Sequence, residues 1–334
     1  MAATFDQIVK DLKTGQYRPI YFLFGEEAYF IDYITDYIAN HVLDESEQAF
    51  NQTVVYGRDT DAATVIEVAK RFPMMANHQV VIVREAQQMR KIEDLAAYVE
   101  NPLSSTVLVL CYKYKKPDKR KAFFKALAKN SVFFESKKLY DNQIPAWINK
   151  YLVSKRMRIS PKASVLLTEY LGTDLSKIAN ELDKLLLNLP EGLEITPQHI
   201  EENIGISREY NTFELQNALG KHDVMKANRI VQGFSQNPKQ HPFVVTVSSL
   251  YNFFSKILTY HFLKDKSERS VASALRIHPF FVKDYQTASR YYNPRKTVEI
   301  IGSLREYDLK SKGWNNASTP DGELLRELVY KILH

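Results

Sequence analysis

The sequence predicts an α/β domain built on a parallel sheet, followed by an all-α region, and three observations carry that expectation. Short runs rich in Val, Ile, Leu and Phe recur through residues 1–138, each separated from the next by a helical pattern. Runs that are apolar on both faces suit the strands of a parallel sheet covered by helices on each side. From about residue 140 onward the strand signal disappears and helical periodicity alone remains. The first part is therefore expected to be a three-layer α/β domain.

The chain opens on an amphipathic helical pattern with Phe5, Ile8, Val9 and Leu12 on one face. Candidate strands follow at 20–24, 53–56, 79–84, 106–112 and 132–134, with helical patterns at 27–42, 61–72, 90–100 and 118–129 between them. Residues 144–153, 161–171, 174–188 and 197–203 read as four helices. Thr196-Pro197 supplies a cap and then a proline at the first helical position, and Pro190-Glu191-Gly192 is a turn. Further helical patterns lie near 213–219, 223–235, 242–264, 270–275, 279–291, 294–312 and 320–333. The expected organisation is an α/β domain over 1–138, a small helical domain over 139–210 and a larger one over 211–334.

A length of 334 residues with 45% hydrophobic and 25% charged side chains supplies material for several packed cores. No apolar run approaches the roughly 20 residues that a membrane-spanning helix needs. The N-terminal segment lacks the basic-then-apolar pattern of a secretion signal. The single cysteine, Cys111, excludes an internal disulfide, and its place in the apolar run 107–111 points to a buried, inert thiol. A cytoplasmic protein without membrane contact is expected. The net charge of +6 is compatible with DNA or an acidic protein as partner and singles out neither.

In parallel α/β domains the loop after the first strand is where phosphate is cradled. A phosphate-binding loop would read GxxxxGK[ST]. Residues 22–32 read FLFGEEAYFID instead: Gly25 is present, but Phe30 and Ile31 replace the second glycine and the lysine. Glu26 and Glu27 suit a helix N-terminus and would repel a triphosphate. The third strand ends in Arg84-Glu85, where a magnesium-holding acidic pair would stand. Whether this segment is a converted nucleotide site or an ordinary strand–turn–helix, no ATP hydrolysis is expected. No HExxH or GxSxG motif occurs, and His41, His199, His241 and His278 are scattered. No catalytic site, cofactor or metal is expected.

The connection between the 61–72 helix and the third strand reads Phe72-Pro73-Met74-Met75. Pro73 disfavours continuing the helix, which leaves two adjacent methionines in a loop. Two readings stand: one or both pack inward, or both are presented to a partner, where Met suits adaptable surfaces. The stretch Tyr112-Lys113-Tyr114-Lys115-Lys116, with Lys119, Arg120 and Lys121, is either a solvated charged face or a phosphate-facing edge. Lys310, Lys312 and Trp314 sit in and beside a polar loop, where the Trp either packs inward or stacks on a base.

Five segments, in order, resemble the bacterial DNA polymerase III delta subunit family of clamp loaders. They are PIYFLFGEEAYFIDYI (19–34), GTDLSKIANELDKLLL (172–187), FELQNALGKHDVMKANRIV (213–231), HPFFVKDYQTASRYY (278–292) and REYDLKSKG (305–313). The resemblance implies an AAA+-like first domain with a degenerate nucleotide site, a helical lid over 139–210 and a helical collar over 211–334. It implies a non-catalytic subunit that opens the beta sliding clamp with a hydrophobic wedge. The collar would join ATPase subunits and delta-prime in a hetero-pentamer that meets primed DNA. By position the wedge corresponds to Met74 and Met75, flanked by Phe72 and Pro73; many relatives carry Leu-Phe there. The candidate DNA-facing residues are Lys113, Lys115, Lys116, Lys310, Lys312 and Trp314, of which the resemblance supports the Trp through a collar aromatic in some family members. The competing expectations are an atypical nucleotide-binding AAA+ ATPase, or a stand-alone DNA-binding adaptor.

Overall fold

Apolar runs recur five times in the first 139 residues, and a parallel sheet between helices buries the central ones on both faces. In the computed structural model, which describes residues 3–204, 211–316 and 318–334, they form β1 (Ile20–Gly25), β2 (Gln52–Tyr56), β3 (Gln79–Arg84), β4 (Thr106–Lys113) and β5 (Val132–Ser136). All pairings are parallel, and the spatial order is β2-β3-β4-β1-β5. Phe22 on β1 lies between Leu110 of β4 and Phe133 of β5.

The alternation of side chains along each strand separates two cores. Ile20, Phe22, Phe24, Val81, Val83 and Leu110 face one side. There they meet α4 (Ala62–Ala69), α5 (Ala96–Glu100) and α6 (Ala122–Asn130) through Val65, Val99 and Leu127. Tyr21, Leu23, Val80, Ile82, Val109 and Cys111 face the other, under α1 (Phe5–Lys13) and α2 (Ala28–His41). Each such buried side chain contributes about 1.5–3 kcal/mol. Cys111 is the buried thiol expected: burial pushes its pKa up to about 11, and its sulfur lies 3.2 Å from the Thr35 hydroxyl.

Three local features depart from the pattern reading. A short helix, α3 (Glu45–Asn51), precedes β2 with a capping box at Asp44 and Glu47. The expected 90–100 helix is instead two 3₁₀ turns, Ala86–Gln88 and Ile92–Leu95, before α5; Glu85 and Lys91 adopt positive φ at their starts. The 61–72 helix stops at Ala69. A further turn would need an N–H from Pro73 for the Ala69 carbonyl, and proline has none. Thr106 Oγ1 (2.8 Å) and Tyr98 Oη (3.2 Å) donate to that carbonyl instead.

The second compact unit runs from Tyr140 to His334. Its first helices are α7 (Ile144–Ser154), α8 (Pro161–Leu171), α9 (Leu175–Leu186) and α10 (Pro197–Ile204). Ser160 and Asp174 cap α8 and α9 with their side chains. A two-residue parallel ladder, β6 (Arg158–Ile159) with β7 (Glu194–Ile195), interrupts the all-helical expectation. Strands that short carry no legible alternation. The expected boundary at residue 210 lies outside the described residues.

Beyond it come α11 (Thr212–Gly220), α12 (Val224–Gln236), α13 (Phe243–Phe262), α14 (Glu268–Leu275), α15 (Val282–Tyr291), α16 (Pro294–Ser311) and α17 (Asp321–Leu333). They share one core that includes Leu219, Phe234, Leu250, Phe254, Leu304 and Leu328. Tyr292 crosses it and donates its hydroxyl to the Leu219 carbonyl at 2.8 Å. Among the described residues, no helix is long and apolar enough to cross a membrane.

Candidate partner-binding site

The loop after β1 is filled by the protein itself. Gly25 adopts φ +134, and a Cβ there would lie 2.0 Å from the Ser136 carbonyl oxygen. That same oxygen accepts from the backbone N–H groups of Glu26 (3.0 Å) and Glu27 (3.3 Å). Ser136 Oγ donates to the Glu27 carbonyl at 2.6 Å, and the buried Glu27 carboxylate accepts from the Tyr29 N–H at the start of α2. Donors that would cradle a phosphate are therefore turned onto β5 and an internal carboxylate. Gly25→Ala is expected to cost about 3 kcal/mol through the clash and the disfavoured φ. Chemical denaturation against the parent chain measures it.

The end of β3 has also become internal. Arg84 lies 2.8 Å from Asp36 and 3.9 Å from Asp32, two acids one turn apart on α2. Lys113 reaches Asp32 at 2.6 Å and Glu85 at 3.9 Å. Partial burial pulls both cations' pKa values down, but the hydrogen bonds and charges of Asp36 and Asp32 outweigh it and leave both raised. Two cations and three carboxylates are thus paired with one another at this end of the sheet.

At the opposite, N-terminal edge of the sheet, the loop between α4 and β3 carries the apolar group singled out in the sequence. Phe72, Met74 and Met75 are 78%, 64% and 102% exposed, so the outward of the two readings describes both methionines. Pro73 is half-buried between them. Met75 adopts φ +53, a left-handed conformation that costs a non-glycine residue about 1–2 kcal/mol. The chain returns at Ala76, which packs against the α1/α2 side of the sheet.

Asn51, the last residue of α3, holds this loop. Its side-chain oxygen accepts from the Met74 N–H at 2.6 Å, and its amide nitrogen donates to the Met74 carbonyl at 3.0 Å. The same nitrogen donates to the Glu47 carbonyl at 3.1 Å, and Asn51 is 1% exposed. Its neighbour Phe50 is 72% exposed. Sequence reasoning missed both residues. The one signal available, a polar residue between a helix and a strand, is shared by many loops.

The basic segment after β4 does not form one phosphate-facing edge. Lys113 departs from that expectation, because its ammonium is turned inward onto Asp32 with its side chain 14% exposed. Lys116 pairs with Glu26 (3.4 Å), Lys119 with Glu135 (3.8 Å), Arg120 with Asp118 (2.9 Å) and Lys121 with Glu93 (2.8 Å). Lys115 is exposed. Interleaved carboxylates weaken the positive field that would attract a phosphate backbone. Near the C-terminus, Lys310 lies over the Tyr307 ring at 4.5 Å and pairs with Glu306 at 2.8 Å. Lys312 pairs with Asp308 at 2.6 Å. Trp314 is 57% exposed, outside the helical core, and its backbone N–H donates to the Leu309 carbonyl.

Two family models match the chain: DNA polymerase III, delta subunit over residues 21–137, and DNA polymerase III delta subunit, C-terminal domain over residues 209–325. A DNA polymerase III subunit delta from Bacillus subtilis (strain 168) is 28% identical over 332 residues, covering 96% of this chain and 94% of that relative. Among solved structures, the Bacillus subtilis DNA clamp loader delta protein (YqeN) is similar across 99% of both chains, at 25% identity and a TM-score of 0.54.

Proposed function

This chain belongs to the DNA polymerase III delta subunit family, and from that premise we propose that it binds and opens the beta sliding clamp by inserting Met74 and Met75 as an apolar wedge. It is a clamp-loader subunit. The observation that carries the finer reading is the pinned loop: two adjacent methionines, exposed and bent outward, on a backbone tied to α3. A loop whose backbone is already fixed loses little backbone entropy on docking, so burying its apolar side chains in a pocket yields net affinity.

The wedge works by differential binding. A clamp interface fluctuates between closed and open, and a loop that fits better beside the open interface shifts that equilibrium. Chemistry stays with other subunits: in this chain Glu27 and Ser136 occupy the phosphate-cradling position, and Arg84 stands where a metal-holding acid would be. The helices over 139–210 act as the lid, and those over 211–334 as the collar that joins the ATPase subunits and delta-prime in a hetero-pentamer around primed DNA.

Calorimetric titration of the full chain with its cognate sliding clamp tests the reading. Saturable binding to the clamp is expected, with no heat from magnesium-ATP. Nucleotide binding in the absence of clamp binding would overturn it in favour of an atypical ATPase.

A further inference from the structure

We infer that Asn51 is the positioning residue of this loop: its buried amide sets the backbone from which Met74 and Met75 are presented to the clamp. The inference rests on the partner reading above and concerns how that surface is held. Residues 70–78 lie between α4 and β3 and form no helix or strand of their own. Left free, such a segment would sample many conformations, and each would have to be lost on docking.

Asn51 removes that freedom at one residue. It supplies both an acceptor and a donor to the backbone of Met74, as a neighbouring strand would. Its second donor bond, to the Glu47 carbonyl, fixes which way the amide faces. Neither an aspartate nor a leucine, though similar in size, reproduces this set: one lacks the donor, the other lacks both functions. With Met74 tied and Ala76 packed against the core, Met75 is left between them at φ +53 and fully exposed. A left-handed non-glycine residue persists only where its surroundings over-determine it, and here the amide bonds of Asn51 do so.

Two measurements test the inference on the full chain. The Met74 amide should exchange with solvent at least about tenfold more slowly than the unbonded-loop rate, because its N–H is held by a buried acceptor. Asn51→Ala should weaken binding to the cognate sliding clamp about tenfold by restoring loop disorder. The same substitution in a Met74→Ala/Met75→Ala background should cost nothing further, since its effect passes through those side chains. A Met74 amide exchanging at the free rate would overturn the inference, as would an equal loss in both backgrounds. If the methionine pair itself proves silent toward the clamp, the partner reading falls. Protection of the Met74 amide would then still support Asn51 as the residue that sets the loop.

Discussion

Met74→Ala/Met75→Ala should weaken clamp binding by a factor of about five to a thousand while leaving the fold intact. Burying a methionine side chain is worth about 1.5–3 kcal/mol, and both side chains are largely exposed and belong to no core. Ordering two long side chains costs roughly 1 kcal/mol each, which brings the expected net loss to about 1–4 kcal/mol. Thermal unfolding of the double variant should match the parent, as exposed substitutions of this kind shift stability by no more than about 0.5 kcal/mol. Ionic strength supplies a further check. An apolar wedge should hold its affinity as salt rises, whereas a contact made by Lys115 and its basic neighbours should weaken. Unchanged affinity in the folded double variant would remove the wedge assignment.

Stability should fall as pH rises from about 5 to 8, and Glu169→Gln should abolish most of that fall. Glu169 lies on α8, with one carboxyl oxygen buried and without a hydrogen-bond partner among the described residues. Burial pushes its pKa up to about 8, against the lowering effects of the Phe213 N–H and the Lys256 charge. The buried Tyr285 also lies close enough to feel its charge. Burial likewise lowers the Lys256 pKa, so this environment disfavours both charges.

The sign follows from proton binding. The folded state holds a proton that the unfolded chain has already lost above its ordinary carboxyl pKa of 4.5. The contribution is therefore complete below that pKa and declines as pH rises through the folded value, for a total of up to about 5 kcal/mol. A neutral glutamine of similar size does not titrate. At pH 8 it should raise the melting temperature by up to roughly 10–20 °C, on the scale of about 2–4 °C per kcal/mol for a unit of this size. Melts of parent and variant from pH 5 to 8 isolate Glu169, because every other titrating group is common to both. Parallel curves would refute the assignment.

The sheet was legible because its signal is local and dense. Strands buried on both faces show as continuous apolar runs, and the five expected runs coincide with β1 to β5 to within two residues at each end. The absence of a phosphate-loop motif was legible for a similar reason, since GxxxxGK[ST] is a contiguous pattern and Phe30 and Ile31 visibly break it. Helix ends were less so. Where α4 stops depends on Thr106 and Tyr98, which lie 37 and 29 residues away and claim the Ala69 carbonyl.

The site divides along the same line. Residue type and spacing alone determined that this chain lacks a phosphate-binding loop, and that an apolar pair follows Pro73. Whether that pair turns in or out was open until the tertiary structure placed Asn51 against Met74 across 23 residues of sequence. The inward turn of Lys113 was equally hidden, because Asp32 and Glu85 reach it from other elements. Periodicity reports which face of a segment avoids water. It says nothing of a single hydrogen bond or ion pair between distant residues, and such bonds hold the loop and pair the charges at the ends of β3 and β4.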